Sequence, residues 1–262
     1  MSLRFLSTPP RFRLSKRLST PLIKQLSHFR ALLAAPSSLS MAPRDLPLMS
    51  RDEYADYPEI DMSSHCLLTS PLATRQEIPL LLNSRKLFGA GVEVGVQRGD
   101  YSKCILETWR GHKLYLVDLW RPMDDSLDPA NVSLSQNRDN LAATFDAIAP
   151  FDPRAVIIRE DSVGAARLFM DASLDFVYID AGHTHHDASI DIHTWATKVR
   201  PGGLLMGHDY MSGEVSVLNH LGQEVSRFHI DVKTAVDDWA KRHSKQVHTT
   251  HEETFKTWII EM

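Results

Sequence analysis

From residue 70 to the C-terminus, short apolar runs alternate with longer stretches in which apolar residues recur every three or four positions. Runs of the first kind are typical of buried strands, and spacing of the second kind is typical of amphipathic helices. The runs predict five strands, at 91–96, 114–118, 155–159, 174–180 and 204–207. Because these strands are apolar along most of their length and alternate with helices, they predict a parallel sheet covered on both faces. The predicted fold class is therefore a doubly wound α/β fold.

The stretches between the runs predict the helices. Thr74 and Glu77 have the spacing of a capping box, so the first helix is expected to continue from there to Leu87 and to end at Gly89. Further helical faces follow at 100–105, 134–148, 163–168, 188–199 and 232–240, and the residues at 200–203 are expected to terminate the helix before them. Apolar residues at 247–250 and 255–260 predict a closing antiparallel hairpin.

The first 44 residues differ in charge from the rest of the chain. They contain eight Lys or Arg and no Asp or Glu, whereas the whole chain has 29 basic and 33 acidic residues. Such a segment is typical of an organelle transit peptide, and leucines spaced four apart among basic residues favour the mitochondrion over the plastid. The alternatives are a disordered basic tail and a cytoplasmic location. Residues 45–69 are interpreted as a linker that covers the surface, so the folded domain is expected at 70–262.

Composition and charge exclude several classes of protein. Apolar residues at 43% and charged residues at 24% are ordinary for a globular domain. No apolar run approaches the roughly 18 residues of a membrane-spanning helix. The two cysteines, Cys66 and Cys104, exclude a disulfide-stapled scaffold. Because the chain after residue 44 is acidic, binding of nucleic acid is not expected. The oligomeric state stays open, a homodimer included.

Polar residues gather where the predicted strands end. In doubly wound sheets, ligands bind outside the carboxyl ends of the strands, near the point where the strand order reverses. The polar residues at these ends are Glu93 to Gly99, Asp118, Glu160 with Asp161, Asp180 with His183, and His208 with Asp209. We expect them to line one ligand cleft.

The loop after the first strand contains Glu93, Gly95 and Gly99 at spacings of two and four residues. Gly89 and Gly91 could begin a dinucleotide fingerprint, but they precede the body of the strand, whereas phosphate binding requires the glycines after it. This position disfavours an NAD site. Glycines in this loop allow the backbone to approach a ligand closely, and the acid suits a ligand that carries an amine.

Acids at the next two strand ends suit a nucleoside. Asp118, about twenty residues after the glycine loop, is placed to accept two hydrogen bonds from a ribose diol. Asp161 with Ser162 could bind the exocyclic amine of a purine.

Together these segments resemble the motifs of class I S-adenosylmethionine-dependent methyltransferases, over about residues 70–262. The matching segments are 91–99, 116–118, 176–180 and 200–210. The resemblance implies a seven-stranded sheet whose last strand is antiparallel, and S-adenosylmethionine as the cofactor. It implies Glu93, Gly95 and Gly99 at the methionine end of the cofactor and Asp118 at the ribose. The other cofactor residues that it implies are Asp161 and Ser162 at the adenine, with Asp180 beside them in the cleft.

A metal ion is a second expectation. Asp180, His208 and Asp209 follow two strands that should be adjacent, so they offer three ligands on one side of a cavity. The arrangement is similar to the metal-dependent O-methyltransferases of sugar and macrolide tailoring, the macrocin type, in which acids at these strand ends hold Mg²⁺. An imidazole in the set would also admit another divalent metal. The alternative is that Asp180 and Asp209 only hydrogen-bond to the backbone and the cofactor.

The sequence departs from that family pattern in two ways. His208 stands where those enzymes carry an Asp, and no Asp stands two residues after Asp180, where they place a candidate base. His183 is the nearest substitute, and with Asp180 it is the expected catalytic pair, because an imidazole near its ordinary pKa can accept a proton at neutral pH.

Two weaker expectations concern residues near this cluster. A second metal site is conceivable from His183, His185, His186, Asp187 and Asp191, although acids at a helix start are favoured by the helix dipole in any case. Trp120 and Tyr210 could form walls of an acceptor pocket or belong to the core.

The sequence therefore predicts a methyltransferase that acts on a small molecule, with oxygen as the favoured acceptor atom and metal assistance left open. The alternatives are a non-catalytic module of the same fold that binds the cofactor, and a nucleotide-dependent oxidoreductase.

Overall fold

The computed structural model describes residues 72–123, 128, 130–218 and 223–262. The predicted transit peptide at 1–44, the linker at 45–69 and Cys66 lie outside these residues. The strands of the described part are β1 Ala90–Val94, β2 Lys113–Val117, β3 Ala155–Ile158, β4 Leu174–Ile179, β5 Val199–Gly207, β6 Ser212–Leu218, β7 Glu224–Asp231, β8 His248–Thr249 and β9 Trp258–Glu261.

Seven of these strands form one sheet in the order β3-β2-β1-β4-β5-β9-β8. The first five are parallel to one another, β9 is antiparallel to β5, and β8 is antiparallel to β9. This arrangement confirms the predicted doubly wound sheet with an antiparallel C-terminal strand. The strand order reverses between β1 and β4, so a ligand cleft is expected at the carboxyl ends of these two strands.

Six α-helices accompany the strands in the described residues. They are α1 Ile78–Ser84, α2 Asp100–Thr108, α3 Leu134–Ile148, α4 Ser162–Ala166, α5 His185–Ala196 and α6 Val232–Arg242. None of them is both long enough and apolar enough to cross a membrane.

The strands are apolar on both faces because each face of the sheet packs against helices. Along β4, Phe176 and Tyr178 join the core that includes α1 and α2, whereas Val177 and Ile179 join the core that includes α4, α5 and α6. Successive residues of a strand point to opposite faces, so one continuous apolar run supplies two cores.

The first helix differs from its prediction at both ends. Thr74 makes no side-chain cap, and a 3-10 helix at Arg75–Glu77 precedes α1. The carboxylate of Glu77 instead accepts a hydrogen bond from the backbone N–H of Ala73 at 2.8 Å. At the other end, Lys86 adopts a left-handed φ of 55° and the N–H of Leu87 bonds to the carbonyl of Leu82. A left-handed residue at the end of a helix is usually glycine, so Gly89 was expected in this role, but Lys86 takes it.

A second difference lies between α5 and β5. Residues 199–203, predicted as the end of a helix and its terminator, begin β5 instead. Val199 pairs with Leu174, and the N–H of Gly202 bonds to the carbonyl of Met262. The pairing partners on both sides draw this segment into the sheet.

The hairpin of β6 and β7 was not predicted. Its strands pair antiparallel between β5 and α6 in the chain. Ile230, Val215 and Phe228 pack on the core, so one face of the hairpin is apolar. The N–H of Asp231 donates to the carbonyl of His183 at 2.9 Å, which joins the hairpin to the loop after β4.

Candidate active site

A cleft of about 1030 Å³ opens at the carboxyl ends of β1 to β4. It brings together six of the seven residues predicted to hold the cofactor, which are Glu93, Gly95, Asp118, Asp161, Ser162 and Asp180. The seventh, Gly99, is the N-cap of α2. His208 and Asp209 line a small neighbouring pocket together with Asp180 and His183, two residues that also line the cleft.

Gly95 allows the ends of β1 and β4 to approach each other. Its φ is 87°, and a Cβ atom built on it would lie 1.8 Å from the carbonyl oxygen of Asp180. Gly99 also has a positive φ, of 78°, and a Cβ atom there would lie 3.1 Å from the Cα of Thr144. Both glycines are therefore required by the backbone itself, and Gly95 is the one that borders the cleft.

Asp118 fixes the glycine loop from the neighbouring strand. One carboxylate oxygen accepts the N–H groups of Val96 and Gln97, each at 2.9 Å, and the other accepts the N–H of Trp120 at 2.8 Å. The indole N–H of Trp120 donates in turn to the carbonyl of Gln97 at 2.8 Å. Asp118 thus shapes the edge of the cleft, and its carboxylate also lines it.

Glu93 is a buried acid at the end of β1, with 2% of its surface exposed. The hydroxyl of Ser102 on α2 donates to its carboxyl group. Burial raises the pKa of Glu93 to about 8, and the Ser102 hydrogen bond offsets only part of this effect. Glu93 therefore holds its proton at neutral pH until a positive charge comes near it.

Asp161 and Ser162 serve different purposes. The carboxylate of Asp161 caps α4 by accepting the N–H of Gly164 at 2.8 Å. The hydroxyl of Ser162 donates to Asp191 at 2.5 Å and accepts the indole N–H of Trp195 at 2.8 Å. The O–H donor of Ser162 and one of its two acceptor positions are thus already used, which leaves one acceptor position for the exocyclic amine of adenine.

Asp180, His183 and Asp209 form a cluster beside the cleft, and one ligand atom of each lies within 4.8 Å of the others. The Nε2 of His183 lies 2.7 Å from Asp209, and its Nδ1 contacts Asp128 from the segment between β2 and α3. The predicted ligand His208 has its Nδ1 3.0 Å from Asp209 and 3.8 Å from Asp180. The structure therefore adds His183 to the expected donor set, with His208 adjacent to it.

The charges of this cluster differ from the expectation for a base. Burial alone would lower the pKa of His183, but its hydrogen bonds with Asp128 and Asp209 outweigh burial and raise the pKa to about 10. Burial would raise the pKa of Asp209, but the bonds from His183 and His208 hold it well below its usual range. Burial raises the pKa of Asp180. At neutral pH His183 is thus already protonated, and of the two carboxylates Asp180 has the higher proton affinity.

Arg75 is a cleft residue that the sequence did not indicate. It belongs to the 3-10 helix before α1, and its guanidinium lies 4.9 Å from the ring centre of Tyr101 and 3.3 Å from Asp180. No spacing rule relates a residue to a partner 105 positions away, so only the folded chain reveals this contact.

Two expectations remain, the second metal site and the aromatic walls of an acceptor pocket. His185 pairs with Asp238, Thr184 caps α5 by accepting the N–H of Asp187, and Asp191 accepts the hydroxyl of Ser162. Within the described part of the chain, these residues do not bring three ligand atoms together. Trp120 is buried at 1% exposure, and the hydroxyl of Tyr210 donates to Asp237 at 2.5 Å. Neither aromatic residue lines the cleft, because each is held by its own neighbours.

Comparison with known proteins gives one family match. Residues 92–210, from β1 to just beyond β5, match a family described as a methyltransferase domain. No curated protein matches the chain by sequence.

Solved structures resemble this chain at low similarity. An O-methyltransferase family protein from Burkholderia thailandensis has a TM-score of 0.49 and 14% identity, over 71% of this chain and 54% of that chain. A 1,6-didemethyltoxoflavin-N1-methyltransferase from the same organism, with bound S-adenosylhomocysteine, has a TM-score of 0.45 and 17% identity, over 84% and 93%. An rRNA methylase from Streptococcus thermophilus has a TM-score of 0.44 and 10% identity, over 68% and 90%. This chain spans about half the length of the first protein, and likenesses this weak add nothing to the functional assignment.

Gly95→Ala should destabilise the protein far more than Gly202→Ala. Both glycines have a positive φ, 87° and 77°, so alanine costs about 1–2 kcal/mol at either position. At Gly202 the nearest atom to a new Cβ is 3.9 Å away, whereas at Gly95 the new Cβ would overlap the backbone of Asp180. We expect an additional loss of about 2 kcal/mol or more for Gly95→Ala in urea unfolding. Equal losses in the two variants would show that the close approach is not rigid.

Because its carboxyl group has a raised pKa, Glu93 should lower the free energy of unfolding as the pH rises. Between about pH 4.5 and 8 the unfolded chain releases this proton while the native state keeps it. The free energy of unfolding should then fall by up to about 1.4 kcal/mol per pH unit through this window. Glu93→Gln should make this decline shallower by the contribution of Glu93, and the exposed Glu107→Gln should leave the decline as it is, in urea unfolding across the window. Parallel pH profiles for all three proteins would contradict the raised pKa.

Proposed function

We propose that this chain, which carries a class I S-adenosylmethionine-dependent methyltransferase domain, methylates an oxygen atom of a small molecule. The observation that carries the proposal is the cluster of Asp180, His183 and Asp209 beside the cleft. A hydroxyl group must lose its proton as it becomes a nucleophile, and this cluster offers carboxylates of unequal proton affinity for that purpose.

The cleft suits the cofactor in size and chemistry. Its volume of about 1030 Å³ leaves room for a nucleoside together with a small acceptor. Glu93 and Asp180 provide acids for an ammonium group, and Gly95 exposes backbone at the same end. Glu93 can ionise in response to such a charge, because its pKa of about 8 lies close to neutrality.

The other residues that we assign to the cofactor lie after neighbouring strands, Asp118 after β2 and Asp161 after β3. We assign the ribose to Asp118, whose carboxylate lines the cleft while it holds the glycine loop. We assign the adenine to Asp161, and Ser162 supports that region by holding Asp191 in place. Gly99 acts indirectly, because it allows α2 to start beside the loop.

When bound, S-adenosylmethionine supplies an activated methyl group. The chain's contribution is to hold the acceptor hydroxyl in line with that group and to receive its proton. Asp180 is the proton acceptor in this arrangement, because burial raises its pKa. His183 can accept a proton only after it has given up its own, and loss of its contact with Asp128 or Asp209 would favour that release.

Metal assistance is the finer part of the proposal. Asp180 and Asp209 offer two carboxylates, and His208 is adjacent. His183 can join them as an imidazole ligand only if a bound cation displaces the proton from its Nε2. Such a set would suit Mg²⁺ with retained water or a borderline divalent metal. A bound cation would balance the carboxylates and lower the pKa of a hydroxyl beside it.

Two other functions use the same cleft. A non-catalytic module of this fold would bind the cofactor without turnover. A nucleotide-dependent oxidoreductase would bind NAD, but Gly89 lies before β1 and Gly91 within it, whereas a dinucleotide fingerprint needs its glycines after the strand. Calorimetry with S-adenosylhomocysteine and with NAD separates the oxidoreductase from the other two functions.

Asp118→Ala should weaken binding of S-adenosylhomocysteine by about 5- to 150-fold, because two hydrogen bonds to the ribose contribute about 1–3 kcal/mol. The control is Asp146→Ala, which removes an exposed acid on α3. Isothermal titration calorimetry measures both variants. Unchanged affinity in Asp118→Ala would remove this residue from the cofactor site.

Transfer of an isotope-labelled methyl group to hydroxylated small molecules should depend on a divalent metal. We expect EDTA to abolish turnover, added Mg²⁺ or Mn²⁺ to restore it, and Asp209→Asn to reduce it at least about tenfold, because Asp209 is a ligand of the proposed ion. Asp171→Asn, which alters an exposed acid paired with Lys198, is the control.

Three results would redirect the proposal. Full activity in EDTA would reject the metal and leave the methyltransferase intact. Labelling of RNA and of no small molecule would reject the acceptor class. Cofactor binding with no acceptor methylated would favour the non-catalytic module.

A further inference from the structure

We infer that Arg75 binds the α-carboxylate of the methionine end of S-adenosylmethionine, and that it lets the protein reject cofactor analogues that lack this group. The inference rests on the proposed cofactor site. It adds a residue from outside the segments at 91–99, 116–118, 176–180 and 200–210 that carry the family resemblance.

The position of Arg75 is fixed by contacts with three parts of the fold. Its backbone N–H donates to Glu252, in the segment between β8 and β9, at 3.3 Å. Its carbonyl accepts the hydroxyl of Tyr101, on α2, at 3.1 Å. Its Nη1 donates to Asp180 at 3.3 Å while the guanidinium lies over the ring of Tyr101. An arginine held at both its backbone and its side chain loses little further freedom when it binds a ligand.

The end of the cleft near Arg75 is strongly acidic. Glu93 lies near the carboxyl end of β1 and Asp180 directly follows β4, the two strands at which the strand order reverses, and both residues line the cleft. The methionine end of the cofactor carries an ammonium and a carboxylate on the same carbon. The acids suit the ammonium, but they repel the carboxylate unless a cation lies beside them.

Among the described residues, four arginines line the cleft: Arg75, Arg98, Arg121 and Arg227. Arg98 and Arg121 are exposed residues in the loops after β1 and β2. Arg227 lies on β7 and is paired with Glu224 at 3.0 Å. Arg75 is the one that contacts Asp180, so it is placed to balance the acids at the methionine end.

Arg75 also retains the capacity to bind a carboxylate. A guanidinium has five N–H donors, and the contacts of Arg75 with Asp180 and Tyr178 leave others for a ligand. Its side chain is 29% exposed, and it faces the cleft. Guanidinium and carboxylate groups commonly pair through two parallel hydrogen bonds, and such pairs are stronger than neutral ones.

The test compares S-adenosylmethionine with decarboxylated S-adenosylmethionine, by calorimetry on the full chain. In the wild-type protein the complete cofactor should bind more tightly. Arg75→Gln should weaken S-adenosylmethionine about 10- to 100-fold, because hydrogen bonds to charged groups are lost. The same variant should leave binding of the decarboxylated analogue unchanged or slightly tighter, because a positive charge has been removed from beside a cationic ligand.

Arg85→Gln is the matched control, since Arg85 lies at the other end of α1 and pairs with Glu261 at 3.0 Å on the surface. It should alter neither affinity. Arg75→Lys keeps the charge without the paired donors, so it should recover part of the discrimination. If Arg75→Gln does not fold, the ratio of the two affinities is measured on Arg75→Lys instead, and it should fall below the wild-type ratio.

The ratio of the two affinities decides the inference. Equal weakening of both ligands by Arg75→Gln, or of neither, would overturn the role of Arg75 while the cofactor site stands. Failure of the wild-type protein to bind either ligand would overturn the cofactor site and the inference together.

Discussion

The site depends on how closely β1 and β4 approach at their carboxyl ends. Gly95 turns there with a φ of 87°, where any side chain would strike the carbonyl of Asp180, and the N–H of Asp180 bonds to Val94 at 2.7 Å. Asp118 holds the same loop from β2 through the N–H groups of Val96 and Gln97. Because all of these bonds are made within the protein, the cleft has its shape before a ligand arrives, and binding costs less ordering.

The acids around this point have different proton affinities because their surroundings differ. Glu93 is enclosed and meets one hydroxyl, so it keeps its proton near neutral pH. Asp209 meets two imidazoles and stays ionised. Burial raises the pKa of Asp180, while the charges of His208 and Arg75 oppose the rise. Acids with separated proton affinities can bind a cation and receive a proton in the same cleft.

The sheet could be predicted from the sequence because its strands carry their information locally. Apart from Asp175, β4 consists of apolar and aromatic residues, and the charged Asp180 directly follows it. The extent of this strand and the polarity of the residue after it are therefore visible in a few letters. The α1 stop at Lys86 and the β5 start at Val199 were wrong or missed because neighbouring strands and turns decide them. Arg75 was missed for the same kind of reason, since its partner is 105 positions away.

His183 shows how the segments outside the central sheet constrain the site. Its ring is held by Asp209 from the end of β5 and by Asp128 from the segment between β2 and α3. Its carbonyl accepts the N–H of Asp231 from the hairpin, whose Phe228 ring lies 6.3 Å from the imidazole. A residue held from three directions turns only when one contact is released, and the strands alone do not determine which contact that is. The central sheet therefore sets the positions of Glu93, Asp118 and Asp180 in the cleft, whereas the hairpin and Asp128 set the position of the His183 ring.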